Sequence, residues 1–142
     1  MLFGKRERAI SRILIVEDEP LVAFDNEHSL AEAGYEVVAT VDTLADAVRV
    51  LAEMEIDLVL SDIVLRGDGD GMDVARAAAA KNVPVLFVTG NCPVEARSLG
   101  MGCLAKPYTD KILRTALTAL DRKLQGHTVK RLPAGLSFYE QA

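Results

Sequence analysis

Two runs of this chain, Ile13-Leu14-Ile15-Val16 and Val85-Leu86-Phe87-Val88, are apolar at every position. Successive side chains of a strand point to opposite faces, so a run without polar alternation has neither face in water. Strands of that kind belong to a parallel sheet with helices packed on both sides. The β-branched apolar runs recur at 12–16, 36–40, 57–61, 84–88 and 103–105, with helical spacing between them. Leu44, Ala47, Val48 and Leu51 share one helical face, as do Leu113, Leu117, Leu120 and Leu124. Five strands alternating with five helices predict an α/β fold, an open doubly wound five-stranded parallel sheet. The flavodoxin-like order 2-1-3-4-5 is one common solution.

Local signals mark the joints. Gly34 follows the first helical segment and suits the left-handed conformation that ends a helix. Asp42 or Thr43 can cap the second helix, the Gly- and Asp-rich stretch 66–71 reads as a loop before the third, and Pro107 should stop the fifth strand. The pattern fades after Leu124, which divides the chain into an extension (1–10), one folded domain (11–124) and a tail (125–142).

The chain has 142 residues, of which 50% are hydrophobic and 26% charged, the proportions of one globular domain. Its formal charge of −5 comes with no dominant basic stripe, which argues against direct nucleic-acid binding. Lys5, Arg6 and Arg8 read as a solvated end. No stretch approaches the roughly 20 apolar residues of a membrane span, and Met1-Leu2-Phe3-Gly4 is too short for a secretory signal, so the expectation is a cytoplasmic protein. Cys92 and Cys103 make no disulfide framework and lack the company of a zinc site; they are expected to be reduced thiols.

In a parallel sheet, ligands bind beyond the carboxyl ends of the strands. Those ends carry Glu17-Asp18-Glu19, Asp62, Thr89-Gly90 and Lys106-Pro107. Each alone is common as a cap, a turn or a strand exit. Together, from Glu17 in steps of 45, 27 and 17 residues, they bring carboxylates, a hydroxyl and an ammonium to one sheet edge. Clustered carboxylates repel one another, and a hard divalent cation relieves the repulsion, so Glu17, Asp18 and Asp62 read as a Mg²⁺ site. Asp62 is then a carboxylate nucleophile for a phosphoryl group. The metal, Lys106 and the Thr89 hydroxyl meet the charge on the transferred oxygens. Gly90 leaves space for a phosphodonor or a water.

These motifs, with Asp57-Leu58-Val59-Leu60-Ser61-Asp62-Ile63 and Asp70-Gly71 beside them, resemble the CheY-like receiver domain of response regulators, from about Ser11 to Leu124. The resemblance implies that Asp62 accepts a phosphoryl group from a histidine kinase or a histidine phosphotransfer protein. It implies that Asp18, Asp62 and the backbone carbonyl of Val64 ligate Mg²⁺, that Glu17 assists through water, and that Thr89 and Lys106 bind the acyl phosphate and transmit its presence. A weak hydrolysis of the protein's own phosphoaspartate is implied, rather than metabolic enzyme activity. The surface offered to the kinase would be the first helix, with Leu21, Val22 and Phe24 near its start.

The chain departs from the family at Cys103, where receivers usually carry Tyr or Phe three residues before the lysine. Phe87-Val88-Thr89-Gly90 is similar to an alphaproteobacterial receiver subgroup with Phe-Ala-Thr-Gly, although Asn91-Cys92 follow here. Met72 and Met101 read as packing residues and His28 as a surface residue. The expected role is a single-domain response regulator, a monomer or weak dimer, that binds a downstream protein or drains phosphoryl groups from a kinase. The alternatives are a receiver fragment of a longer regulator and, more distantly, an aspartate-nucleophile phosphatase. The phosphatases of that class place a second aspartate two residues after the nucleophile, where this chain has Val64.

Overall fold

A computed structural model describes residues 8–140. Its sheet has six strands: β1 (Arg12–Val16), β2 (Glu36–Val41), β3 (Leu58–Ser61), β4 (Val85–Thr89), β5 (Gly102–Ala105) and β6 (Leu136–Phe138). The order is β2-β1-β3-β4-β5-β6. The first five strands are parallel, as the unbroken apolar runs required, and β6 joins β5 antiparallel.

Four helices cover the sheet: α1 (Pro20–Glu32), α2 (Leu44–Glu53), α3 (Gly71–Ala79) and α4 (Asp110–Leu124). The alternation along β1 shows why no polar residue was tolerated there. Ile13 and Ile15 enter one apolar layer with Leu30 of α1 and Leu113, Leu117 and Leu120 of α4. Leu14 and Val16 enter the opposite layer with Ala47 and Leu51 of α2 and Val74, Ala75 and Ala78 of α3. All four β1 residues have no exposed surface. Val48, grouped by spacing with the buried face of α2, instead faces water at 44% exposure, because Ala47 and Leu51 already fill the contact.

The helix starts follow local chemistry. Thr43 caps α2, its hydroxyl accepting from the Asp46 amide. Asp70 and Asp73 cap α3 reciprocally, each carboxylate accepting from the other's amide. Gly34, at φ +94°, ends α1 in the left-handed region.

Two expectations need correction. The segment between β4 and β5 forms no fifth α-helix, only a short 3₁₀ turn at Val94–Ser98. Asn91, Cys92 and Pro93 use up its start and Gly100 its end, leaving six residues, too few for a stable α-helix. Nor is the segment after Leu124 merely a tail. Leu104 pairs with Leu136, Cys103 with Ser137 and Gly102 with Phe138, and a Cβ on Gly102 would lie 2.4 Å from the Ser137 carbonyl oxygen. Only glycine admits β6 so closely.

The N-terminal side is also anchored. Ile10 is fully buried, and the amides of Ala9 and Ile10 donate to the two carboxylate oxygens of Asp121 in α4, at 3.1 and 2.9 Å. Arg8, read as part of a solvated end, stacks over the Tyr35 ring and donates to the Ala33 carbonyl. Lys5 and Arg6 lie outside the described residues.

Candidate functional site

The carboxyl ends of β1, β3, β4 and β5 converge on Lys106. Its Nζ lies 2.7 Å from Asp62 Oδ2, 2.8 Å from Glu19 Oε1 and 2.9 Å from Glu17 Oε1. The main chain sets this meeting point. The Lys106 amide donates to the Thr89 carbonyl at 2.8 Å, continuing the β4–β5 ladder one residue past Ala105. The Asp62 amide donates to the Val16 carbonyl and so fixes β3 beside β1.

Asp62 is 5% exposed and its carboxylate is held on both sides. Oδ1 accepts from the Ile63 amide at 2.6 Å and, more weakly, from the Val64 amide at 3.3 Å, while Oδ2 accepts from Lys106. One residue the sequence reading did not assign supports this turn. A Cβ on Gly71 would stand 2.0 Å from the Asp62 carbonyl oxygen, and the Gly71 amide donates to Ile63 O at 2.7 Å. The glycine after a loop was visible in the sequence; its contact with Asp62 was not.

Glu17 is 3% exposed. Its Oε2 accepts from the Glu19 amide at 3.1 Å. Its Oε1 touches Lys106, but off the direction of a hydrogen bond, and is a buried oxygen without a hydrogen-bond partner. Burial pushes the Glu17 carboxyl above the ordinary glutamate range, and Lys106 and the Glu19 amide offset this only in part. For Lys106, burial disfavours the ammonium, but the hydrogen bonds to Asp62 and Glu19 and the close negative charge of Glu17 outweigh it and hold its pKa above the ordinary value. The lysine is therefore a fixed positive charge.

Ligand atoms of Glu17, Asp18 and Asp62 lie within 4.8 Å of one another. Four carboxylates, Glu19 included, against one ammonium leave a local excess of three negative charges, and Glu17 Oε1 has no hydrogen bond to relieve it. A Mg²⁺ ion fits that donor set in charge and in the all-oxygen chemistry it prefers. The sequence singled out these three residues and Lys106, and the fold brings them together. Thr89 is 5% exposed and tied to Lys106 through its main chain. Val64 follows Asp62 with its amide turned to Oδ1 and its side chain 70% exposed. Gly90 has open space around it, as expected.

Three features were missed. Glu19, the outermost member of the acidic triplet, is a direct partner of Lys106. Tyr108, two residues beyond Lys106, donates to Asn26 Oδ1 of α1 at 3.0 Å and lines a cavity of about 380 Å³ with Asn26, Lys106 and Pro107. The adjacency of Tyr108 to the Lys106-Pro107 pair was its only sequence signal. Cys92 and Cys103, expected to be separate thiols, are joined as a disulfide with Cα atoms 6.2 Å apart. Eleven residues separate them in the sequence, but the turn after β4 folds back along β5. His28, as expected, is on the surface, beside Glu32.

The family model of the response regulator receiver domain matches residues 13–118. The phyllosphere-induced regulator PhyR of Methylorubrum extorquens is 36% identical over 81 residues, which is 56% of this chain but 30% of that protein. A response regulator receiver protein from Sinorhizobium medicae WSM419 is 33% identical, with a TM-score of 0.68 over 78% of this chain and 94% of that one. The receiver domain of the sensor histidine kinase PA1611 from Pseudomonas aeruginosa PAO1, solved with a magnesium ion coordinated in its active site cleft, is 29% identical. Its TM-score is 0.68, covering 82% of this chain and 98% of that one.

Proposed function

This chain belongs to the response regulator receiver domain family, and we propose that Asp62 is its phosphoacceptor, charged by a phosphohistidine on a histidine kinase or a histidine phosphotransfer protein. The observation that carries the assignment is the two-sided grip on Asp62: backbone amides on Oδ1 and Lys106 on Oδ2. That grip fixes the carboxylate's direction while leaving it a nucleophile.

In the reaction, a carboxylate oxygen of Asp62 bonds to phosphorus as the phosphorus–nitrogen bond of the donor breaks, giving an acyl phosphate and a free histidine. Mg²⁺, when bound by Asp18, Asp62 and the Val64 carbonyl with Glu17 acting through water, supplies neutralising charge to the phosphoryl oxygens. Lys106 stays protonated and offers its ammonium to the oxygen nearest Oδ2. Thr89, at the end of β4, offers its hydroxyl to another. The open space at Gly90 admits the donor and later a water, so slow loss of the phosphoryl group accompanies signalling and makes the protein a phosphoacceptor rather than a metabolic enzyme.

The partner face for the kinase is α1, where Leu21 and Phe24 are 79% and 65% exposed. We place the protein in the cytoplasm, where receiver domains usually work, as a response regulator that passes its state to a downstream protein through its own surfaces.

The test is phosphorylation by acetyl phosphate or a kinase with Mg²⁺. Intact mass should rise by about 80 Da, one phosphoryl group, in the wild type and not in Asp62→Asn. Equal labelling of that variant would remove the assignment.

A further inference from the structure

The Cys92–Cys103 pair plays no part in phosphoryl transfer, yet it sits inside the segment that links the two residues at its far side. Cys92 is three residues after Thr89, and Cys103 three residues before Lys106. The bond therefore ties the loop leaving the site to the strand returning to it.

The two sulfurs differ in access. Cys103 has no exposed surface and pairs with Ser137 of β6, whereas Cys92 is exposed and lines an open cavity with Arg97, Ser137, Tyr139 and Glu140. An exposed sulfur joined to a buried one is what thiol exchange requires, because attack goes to the reachable sulfur and the other leaves. A disulfide in a cytoplasmic protein is, moreover, usually transient or redox-sensing, since the surrounding thiol pool keeps structural thiols reduced.

We propose that Cys92 and Cys103 form a reversible redox modification site, opened by low-molecular-weight thiols and closed by peroxides. When closed, it holds the β4–β5 segment against the response to Asp62 phosphorylation. In closing, the Cys92 thiolate attacks a peroxide oxygen, the O–O bond breaks, and the hydroxide that leaves takes a proton to become water. The Cys103 sulfur then attacks the resulting sulfenic sulfur and a second water departs, so two thiols are oxidised and one peroxide reduced. In opening, an external thiolate bonds to the Cys92 sulfur and Cys103 leaves as a thiolate that takes up a proton. A second external thiol releases Cys92 and forms the external disulfide.

The consequence for signalling rests on the phosphoacceptor reading above. With the bond open, Cys92 and the 3₁₀ turn behind it are free of β5, and a shift of Thr89 and Lys106 on phosphorylation can reach the β5–β6 edge. With the bond closed, Thr89 and Lys106 remain joined through both the sheet and the disulfide, and the edge does not respond.

The experiment uses the full chain and its Cys92→Ser variant. Native protein is equilibrated with reduced and oxidised glutathione at varied ratios, its free thiols are alkylated, and intact mass is read. Both thiols should appear together as the ratio rises, without unfolding, and hydrogen peroxide should remove both. Each state is then treated with acetyl phosphate and Mg²⁺, and hydrogen exchange is followed over 90–105 and 133–139. Phosphorylation should change exchange there severalfold in the reduced protein and in Cys92→Ser, with or without peroxide, and leave the oxidised protein unchanged. A bond that opens only on unfolding, or thiols that never pair under peroxide, overturns the redox site. Equal responses in the oxidised and reduced proteins overturn its coupling. If neither state gains phosphoryl mass, the phosphoacceptor reading fails, while the glutathione equilibrium decides the redox site by itself.

Discussion

Replacing Lys106 by Met keeps most of the side-chain volume and removes one charge, which isolates what that charge does. Lys106 itself is 15% exposed as a side chain, with Glu17 at 1%, Asp62 at 7% and Glu19 at 60%. The Glu19 contact is mostly in water and should contribute under about 1 kcal/mol. The other two are buried, and removing the partner of a buried charge costs about 3–5 kcal/mol. Asp62 retains its amide donors, which places the expected loss near the lower end, about 3 kcal/mol in metal-free buffer. Mg²⁺ changes the balance, because it competes with Lys106 for the same carboxylates in the wild type and has no competitor in the variant. An ion present at about 100 times its dissociation constant stabilises by about 2.7 kcal/mol. The variant should therefore recover more stability than the wild type when Mg²⁺ is added, and bind the ion more tightly. Urea unfolding of both proteins, with EDTA and with Mg²⁺, measures this. If Mg²⁺ stabilises the two equally, or the variant loses nothing in EDTA, then Lys106 is not the counter-charge of this cluster.

Gly71→Ala forces a methyl group against the Asp62 carbonyl oxygen, 2.0 Å from the ideal position, and should cost about 3 kcal/mol while slowing acetyl phosphate labelling; a labelling rate equal to wild type would show that the turn can relax. Asp121→Ala leaves the amides of Ala9 and Ile10 without their carboxylate, the second of them buried, and at about 1.5 kcal/mol or more per charged hydrogen bond should lose about 3 kcal/mol in urea unfolding. Unchanged exchange at those two amides would refute the anchor. The pKa values of Tyr35, Tyr108 and Tyr139 are all raised above 10.0, in each case first by burial. Because the folded pKa lies above the unfolded one, this contribution is complete below pH 10 and is lost as pH rises through the folded values. Absorbance titration should show native tyrosines ionising later than in urea, and coincident titrations would contradict it.

What was legible in the sequence depended on whether one segment carried its own signal. The run Ile13-Leu14-Ile15-Val16 announced two buried faces by itself, and the strand-end residues Glu17, Asp18, Asp62 and Lys106 could be placed on one edge from the alternation of strands and helices alone. Thr43 and Gly34 were equally local, a hydroxyl before a helix and a glycine after one. Apart from Val48 and the missing fifth helix, the misreadings are pairings between distant segments. Glu19 becomes a partner of Lys106 only because the parallel sheet brings the carboxyl ends of β1 and β5 to one edge, and Asp121 looks like any acidic residue of a helix until the amides of Ala9 and Ile10 reach it.

The departures gather on one side of the sheet, and they depend on one another. A full helix after β4 would need more residues than the span from Gly90 to Met101 leaves once Pro93 and Gly100 have taken the ends. With only a 3₁₀ turn there, the edge of β5 would expose unpaired backbone groups, a liability in any sheet. β6 covers that edge: Ala105 donates to Gly135 O and Tyr139 to Met101 O, both at 2.9 Å, with the register pairs between them. The fit depends on the absence of a side chain at Gly102. Cys103 beside it, where an aromatic would be the family habit, packs in the apolar layer with α2 and α3. It is small enough to lie fully buried within the sheet, and its sulfur reaches the loop that replaced the helix. On the phosphoacceptor reading proposed above, a signal at Thr89 and Lys106 thus meets a β5 edge already occupied by the chain's own strand.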